Sequence, residues 1–383
     1  MMEGQDQSAD RPRLQDRTIR IGIAAPLSGK SERLGREMKA AAELAIEDWN
    51  EGGGIFGARI AACAADDEGD VSRGKSIATA FCADPEVLGV VGHYNSDVTL
   101  ATAAIYEACG LTAITPIASN PDLTECDCTH IFRFTNRDDR TGRAIAQHLY
   151  RANGKRRAIV METPTTYGDS MADEFCRCFT AEGGEIVLRI LVEEGQRDFD
   201  SLVAALRCDF DVLFYGGSFE GAFILKAMRR QGLEQLFASG DGCWDRWSFL
   251  DIAAKEASLG EGALVLSATP ELGRVPGSKE FGERYARAHG PIGNYAANSY
   301  DSARCLLAAI EHAAAASGGL PSRAEVLAAM RTIHLQGIAY SHPVEWDMKG
   351  DNLAAVTALH AVEDGSFREV AEIEATALEG GSP

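Results

Sequence analysis

Two parallel, doubly wound α/β sheets are predicted for this 383-residue chain, on three observations. Apolar strand patterns alternate with helical ones along most of its length, which builds parallel sheets flanked by helices. The alternation runs through two successive series, and the length suits two domains of roughly 150 residues each. Glycine- and proline-rich turns punctuate the units, beginning with Pro26-Leu27-Ser28-Gly29 after the first strand pattern.

The first series opens at Ile19, Ile21 and Ile23, whose alternation reads as a strand. From Leu34 to Asn50 the residues Leu34, Met38, Ala41, Ala45 and Trp49 fall at helical spacing, and Gly52-Gly53-Gly54 stops the helix. Strand patterns at 59–65, 87–92 and 111–115 then alternate with helical ones at 73–82 and 97–109. After 131–135 the second series offers helices at 141–152, 168–181, 199–206, 219–231 and 247–257, with strands at 157–161, 185–192, 212–215, 236–239 and 263–268. A long helical stretch covers 295–316, and Ser322 caps another over 323–331. The end turns to β structure at 344–346, 354–362 and 367–370, with Glu363-Asp364-Gly365-Ser366 as a hairpin signal.

Composition excludes several function classes. Thirty-seven basic residues stand against 57 acidic ones, a formal charge of −20, so the electrostatic footprint of a general nucleic-acid binder is missing. The same sign disfavours anionic lipid, and no apolar run approaches the roughly 20 residues of a membrane-spanning helix. Neither nucleic-acid binding nor direct membrane insertion is expected. Residues 1–17 are polar and acid-bearing, without the apolar stretch of a secretory leader.

No catalytic signature emerges. Gly52-Gly53-Gly54 follows a helix instead of opening one, so neither a dinucleotide fingerprint nor a phosphate loop is present, and no cofactor is expected. Cys126, Cys128 and His130 offer three soft ligands without an evident fourth, and Asp66-Asp67-Glu68 reads as an acidic turn; no metal is expected. Most of the ten cysteines read as buried or idle thiols. Cys243 and Ser119 are nucleophile candidates only in name, because no histidine is placed by motif to activate either. The chain is not expected to be an enzyme.

The informative residues sit at strand ends. His93-Tyr94-Asn95-Ser96-Asp97 and Thr115-Pro116-Ile117-Ala118-Ser119 both leave the carboxyl ends of parallel strands, where such sheets bind ligands. Ser96 is placed to cap its helix, and a helix N-terminus attracts a carboxylate. A cap at Ser96 and a turn at Ser119 account for both residues without any ligand.

Residues 19–29 (Ile-Arg-Ile-Gly-Ile-Ala-Ala-Pro-Leu-Ser-Gly), Asp66-Asp67, Val90-Val91-Gly92-His93, Thr115-Pro116-Ile117-Ala118-Ser119-Asn120-Pro121, Thr166-Tyr167-Gly168, Phe214-Tyr215-Gly216-Gly217 and Trp346-Asp347-Met348-Lys349-Gly350-Asp351 appear in an order that resembles the type I periplasmic solute-binding proteins of the leucine/isoleucine/valine-binding family. The resemblance spans roughly residues 18–370. It implies two lobes, 18–135 plus 267–336 and 136–266 plus 337–375, joined by a three-crossing hinge near Thr135, Ser267 and Gln336. Flexible segments at 1–17 and 376–383 would flank them.

The resemblance also implies a site. Ser96 and Ser119 take the place of the hydroxyls holding an amino acid's carboxylate and amine, with backbone groups of Ile117. Tyr167 resembles the second-lobe tyrosine that closes over the ligand, and Asp241 the acid that pairs with its ammonium. Leu34, Tyr94, Phe219 and Trp244 would shape the side-chain pocket. The implied function is capture of a branched-chain or other apolar or aromatic amino acid by hinge closure and delivery to the membrane permease of an ABC importer, in the periplasm. Two departures stand out. Gly69 and Asn95 occupy the positions of a disulfide often present in the family, and Asp97 adds negative charge beside the carboxylate site. With the acid-bearing N-terminus and many thiols, these keep open a cytosolic sensor of the amide-binding type.

Overall fold

The computed structural model describes residues 14–126, 128–253 and 259–373; the expected features at 1–13, 254–257 and 376–383 lie outside the described residues. The chain divides into two compact units, Met1–Ala118 with Asp122–Phe134 and Val275–Ala354, and Ser119–Pro121 with Thr135–Arg274 and Ala355–Pro383.

The first unit begins with β1 (Thr18–Ala25), α1 (Glu32–Glu51), β2 (Arg59–Asp66), α2 (Val71–Ala83), β3 (Val87–Gly92), α3 (Ser96–Cys109), β4 (Thr112–Thr115), the short α4 (Asp122–Glu125) and β5 (Ile131–Arg133). Its sheet has the order β2-β1-β3-β4-β5 with every pair parallel. Ile19, Ile21 and Ile23 of β1 are fully buried, as the alternation requires of a central strand, and all of β3 is buried. Met38, Ala41 and Ala45 turn one face of α1 into the core. Strand order reverses between β1 and β3, the switch point at which open α/β sheets present ligand-binding loops.

The second unit contributes α5 (Asp138–Gln147), β6 (Arg157–Glu162), α6 (Thr166–Ala181), β7 (Glu185–Leu191), α7 (Asp200–Ala204), β8 (Val212–Gly216), α8 (Glu220–Arg230), β9 (Leu236–Ser239), α9 (Asp251–Ala253) and β10 (Leu264–Ser267). The helix expected over 141–152 changes to π-helical winding at His148–Ala152, and the start of the one expected over 247–257 is π-helical at Arg246–Leu250. Phe175 stacks on Phe214 with ring centres 3.9 Å apart, fixing α6 against β8.

The chain then returns to the first unit with α10 (Ser278–His289), α11 (Ala296–Ser317) and α12 (Arg323–Met330), and closes the second with β11 (Thr357–Glu363) and β12 (Ser366–Ile373). Helix α10 was not foreseen. Ser322 and Glu325 form a reciprocal capping box on α12. The second sheet runs β7-β6-β8-β9-β10-β11-β12 and is mixed, because the hairpin β11–β12 adds to β10 antiparallel. The expected strand at 344–346 is replaced by isolated bridges, Leu335 with Val344 and Trp346 with Asn352.

Residues 337–354 group with the first unit, whereas the sequence suggested a passage near Gln336; the other late passage falls between Arg274 and Val275, after Ser267. Two buried carboxylates explain the former. Asp301 of α11 accepts the Ile338 and Ala339 amides at 2.6 and 2.8 Å, and Asp351 takes the fully buried Arg133 guanidinium at 2.7 Å. The Arg133 pair also engages the Thr124 hydroxyl, so its charges are hydrogen-bonded as a buried ion pair requires.

Two of the ten cysteines are not thiols. Cys82 and Cys109 form a disulfide that joins the C-terminal ends of α2 and α3, Cα atoms 5.8 Å apart. Parallel packing of the two helices brings together residues 27 apart in sequence, a proximity that cysteine counting does not reveal. The Arg323 guanidinium reinforces the junction, donating to carbonyls that include those of Cys82 at 3.0 Å and Asp84 at 2.7 Å.

Candidate functional site

Each unit presents residues at the carboxyl ends of its strands. In the first, β3 delivers His93, Tyr94 and Asn95 before α3 starts. Asn95, not Ser96, is the N-cap position, and it makes no side-chain cap. Ser96 is therefore the first helical residue, which corrects the capping role expected for it; its side chain is nearly buried and is not consumed by the helix end. Asn95 lies beside Gly69, where a Cβ would meet its Oδ1 at 3.2 Å, so the two positions that the resemblance pairs as a disulfide are neighbours here.

His93 anchors this loop. Its ring is wholly buried, with Nδ1 2.7 Å from Asp67 Oδ2 and Nε2 3.0 Å from the Tyr106 hydroxyl. The carboxylate only accepts, so Nδ1 carries a proton. Burial first, and then the Asp67 charge, push the Tyr106 hydroxyl up and keep it neutral. From β4, Thr115 hands over to Pro116, Ile117 and Ala118. Ile117 is nearly buried, and its amide reaches the Thr115 hydroxyl only at 3.4 Å, a weak bond that leaves the N–H largely available.

Tyr94 meets Tyr295 edge to face, ring centres 6.2 Å apart. Tyr295 was missed in the sequence because it reads as the start of a long helix. It is buried, and the buried Glu37 carboxylate fixes its amide at 2.9 Å. Leu34 is half-buried on the first turn of α1, and Asp97 is half-buried beside Ser96.

In the second unit, Thr165 caps α6 by accepting the Gly168 amide at 3.0 Å, placing Tyr167 on the first turn. The Tyr167 hydroxyl donates to Asp241 Oδ1 at 2.8 Å and accepts the Gly242 amide at 2.9 Å. Asp241 opens a 3₁₀ turn after β9 and is 7% exposed. This approach requires glycine on both sides. A Cβ on Gly240 would lie 2.7 Å from the Tyr167 hydroxyl, and one on Gly242 would lie 2.4 Å from the Gly217 carbonyl oxygen.

Ser119 belongs to this unit and not to the first; its carbonyl accepts the Asp138 amide at 3.0 Å, and Asn120 Nδ2 reaches the Thr166 carbonyl at 3.3 Å. Phe219 is half-buried before α8. Trp244 is a core residue stacked on His360 with ring centres 5.5 Å apart, which places it in the packing of the unit. Of the expected residues, the structure thus brings Tyr167 and Asp241 into direct contact and sets Ser96, Tyr94 and Ile117 on two adjacent loops.

The nucleophile candidate Cys243 is fully buried. Its thiol donates to the Ser218 carbonyl at 2.9 Å and is pushed up by burial, the opposite of an activated thiolate. His130 pairs with Glu107 at 2.6 Å, and among the described residues no group of three or more His, Cys, Asp or Glu is gathered as for a metal. Among the same residues no helix is long and apolar enough to cross a membrane.

Comparison with known proteins adds relatives to this geometry. The sequence profile described as periplasmic binding protein matches residues 18–363. The chain is 35% identical over 226 residues to a Leu/Ile/Val-binding protein homolog 1 of Brucella suis, a match that spans 58% of this chain and 61% of that relative. It is 30% identical over 341 residues to an amino acid binding protein of Pseudomonas aeruginosa, covering 86% of each. Among solved structures, a leucine-binding protein LivK from Thermotoga maritima superposes with a TM-score of 0.81 at 24% identity, covering 93% of this chain and 99% of that one. A solute-binding protein of an ABC transporter from R. palustris, in complex with benzoate, superposes with a TM-score of 0.80 at 20% identity, covering 93% and 96%.

Proposed function

Because this chain belongs to the periplasmic binding protein family, we propose that it is the substrate-binding component of an ABC importer and that its ligand is an amino acid with an apolar or aromatic side chain. The fold does not choose the ligand class, since the R. palustris protein holds benzoate on the same architecture. The observation that carries the choice is the Asp241 carboxylate, nearly buried and oriented by the Tyr167 hydroxyl. An ammonium group would add a charge-assisted hydrogen bond to a carboxylate already oriented in this way. An amine-free aromatic acid would set a second negative charge against it.

In this reading the Ser96 hydroxyl and the Ile117 amide take the ligand carboxylate, and Ser119 assists at the amine. Tyr94, Tyr295, Leu34 and Phe219 form the walls around the side chain. Contacts from both units to one ligand stabilise a closed form through a hinge, shifting a population in proportion to the contacts made only when closed. The closed form is what the permease recognises. The Cys82–Cys109 disulfide supports a periplasmic location, because such bonds persist in oxidising compartments.

A second reading is favoured by Asp97, whose charge beside Ser96 disfavours a carboxylate. A cytosolic sensor of an amide would avoid that repulsion. A thermal-shift screen of aliphatic and aromatic amino acids, their amides, and benzoate separates the readings. At a hundredfold excess over Kd the true ligand adds about 2.7 kcal/mol of stability. A response to amino acids alone supports the proposal; a response to amides or benzoate alone replaces it.

A further inference from the structure

We propose that Thr115 is a positioning residue that fixes the spacing of the two first-unit loops carrying Tyr94–Ser96 and Ile117, so that ligand affinity depends on its hydroxyl; this rests on reading those loops as ligand-binding. Thr115 ends β4 and is fully buried. A threonine hydroxyl has one O–H to donate and two lone pairs to accept with. Its O–H donates to the His93 carbonyl at 2.8 Å, which opens one loop. Its oxygen accepts the Ala118 amide at 3.0 Å and, at the long distance of 3.4 Å, that of Ile117, both in the other loop.

Each loop is separately held from behind. The His93 ring is clamped between Asp67 and Tyr106, which fixes where its carbonyl points. Asn298 of α11 donates to the Pro116 carbonyl at 3.3 Å. The Thr115 hydroxyl is the crosslink between these two anchored segments. By holding Ala118 firmly and Ile117 weakly, it sets the Ile117 N–H at a fixed distance from the Ser96 turn while leaving that N–H able to donate to a better partner. A carboxylate bound by both groups needs this spacing, so losing the crosslink weakens binding without removing any group that touches the ligand.

The test compares Thr115→Val, Thr115→Cys and Thr115→Ser with Thr102→Val. Thr102 is equally buried, but its hydroxyl bonds only the Val98 and Thr99 carbonyls of its own helix. Calorimetric titration with leucine, isoleucine and phenylalanine is paired with thermal unfolding and amide hydrogen exchange. Thr115→Val is expected to raise Kd at least about tenfold, the scale of one lost hydrogen bond. Thr115→Cys, which keeps the volume with a weak donor, moves in the same direction and serves if the valine variant does not fold. Thr115→Ser and Thr102→Val are expected to stay within about threefold of wild type, although Thr102→Val melts earlier. Exchange at 93–96 and 117–119 should quicken together in the valine and cysteine variants alone.

Affinity and exchange unchanged in both variants, or altered no more than in Thr102→Val, overturn the proposal. If wild type binds none of the three amino acids, the ligand reading fails on its own, and exchange decides the crosslink: coupled loosening of both loops upholds it, and unchanged loops refute it.

Discussion

The Tyr167 hydroxyl stands 2.8 Å from Asp241 Oδ1 and is held in place by the Gly242 amide. The tyrosine gives its donor to the carboxylate and its acceptor to the backbone, so in the proposed site it would orient Asp241 as well as offer its ring. Tyr167→Phe is therefore expected to cost about 1–2 kcal/mol of amino-acid affinity. A binding isotherm unchanged by the substitution would limit Tyr167 to its ring.

His360 makes stability depend on pH. Its imidazole is buried, and burial pushes it down to about 4, aided by the Arg274 charge and opposed by the Ala358 backbone. The unfolded chain therefore binds a proton that the folded one refuses between about 6.5 and 4, and stability falls as the pH drops through that window. The contribution is at most about 3 kcal/mol. Urea titrations of wild type and His360→Gln between pH 7 and 4 should diverge in slope; parallel curves would contradict this assignment.

The Cys82–Cys109 disulfide closes a loop with a sequence separation of 27. For a loop of that size the chain-entropy account gives about 3–4 kcal/mol. Dithiothreitol, or joint replacement of Cys82 and Cys109 by serine, should lower the unfolding midpoint accordingly. The doubly substituted protein should no longer respond to reductant. Equal midpoints with and without reductant would show that the bond contributes nothing to stability.

The alternation of strands and helices was legible because it is local: Ile19, Ile21 and Ile23 read as a strand and prove fully buried in one. Helix α10 was not, because its half-charged sequence presents only Phe281, Tyr285 and small residues to the interior. The antiparallel attachment of β11 was also hidden, since a hairpin signal specifies its own turn and not the strand it joins. At the proposed site, Ser96 was singled out by its place after a strand, and Asp241 only by the family resemblance. The cap at Asn95, the Tyr94–Tyr295 pair and the Thr115 crosslink depend on which loops come together, and no short-range pattern records that.

The central claim is that the Asp241 carboxylate receives the ammonium of an amino acid. Calorimetric titration of wild type and Asp241→Asn with leucine, phenylalanine and benzoate tests it most directly. The account predicts that wild type binds an amino acid and not benzoate, and that Asp241→Asn weakens the amino acid by at least about 1.5 kcal/mol, the low end for a hydrogen bond to a charge. Equal affinity of the two proteins for that amino acid, or tight binding of benzoate by wild type, would contradict it.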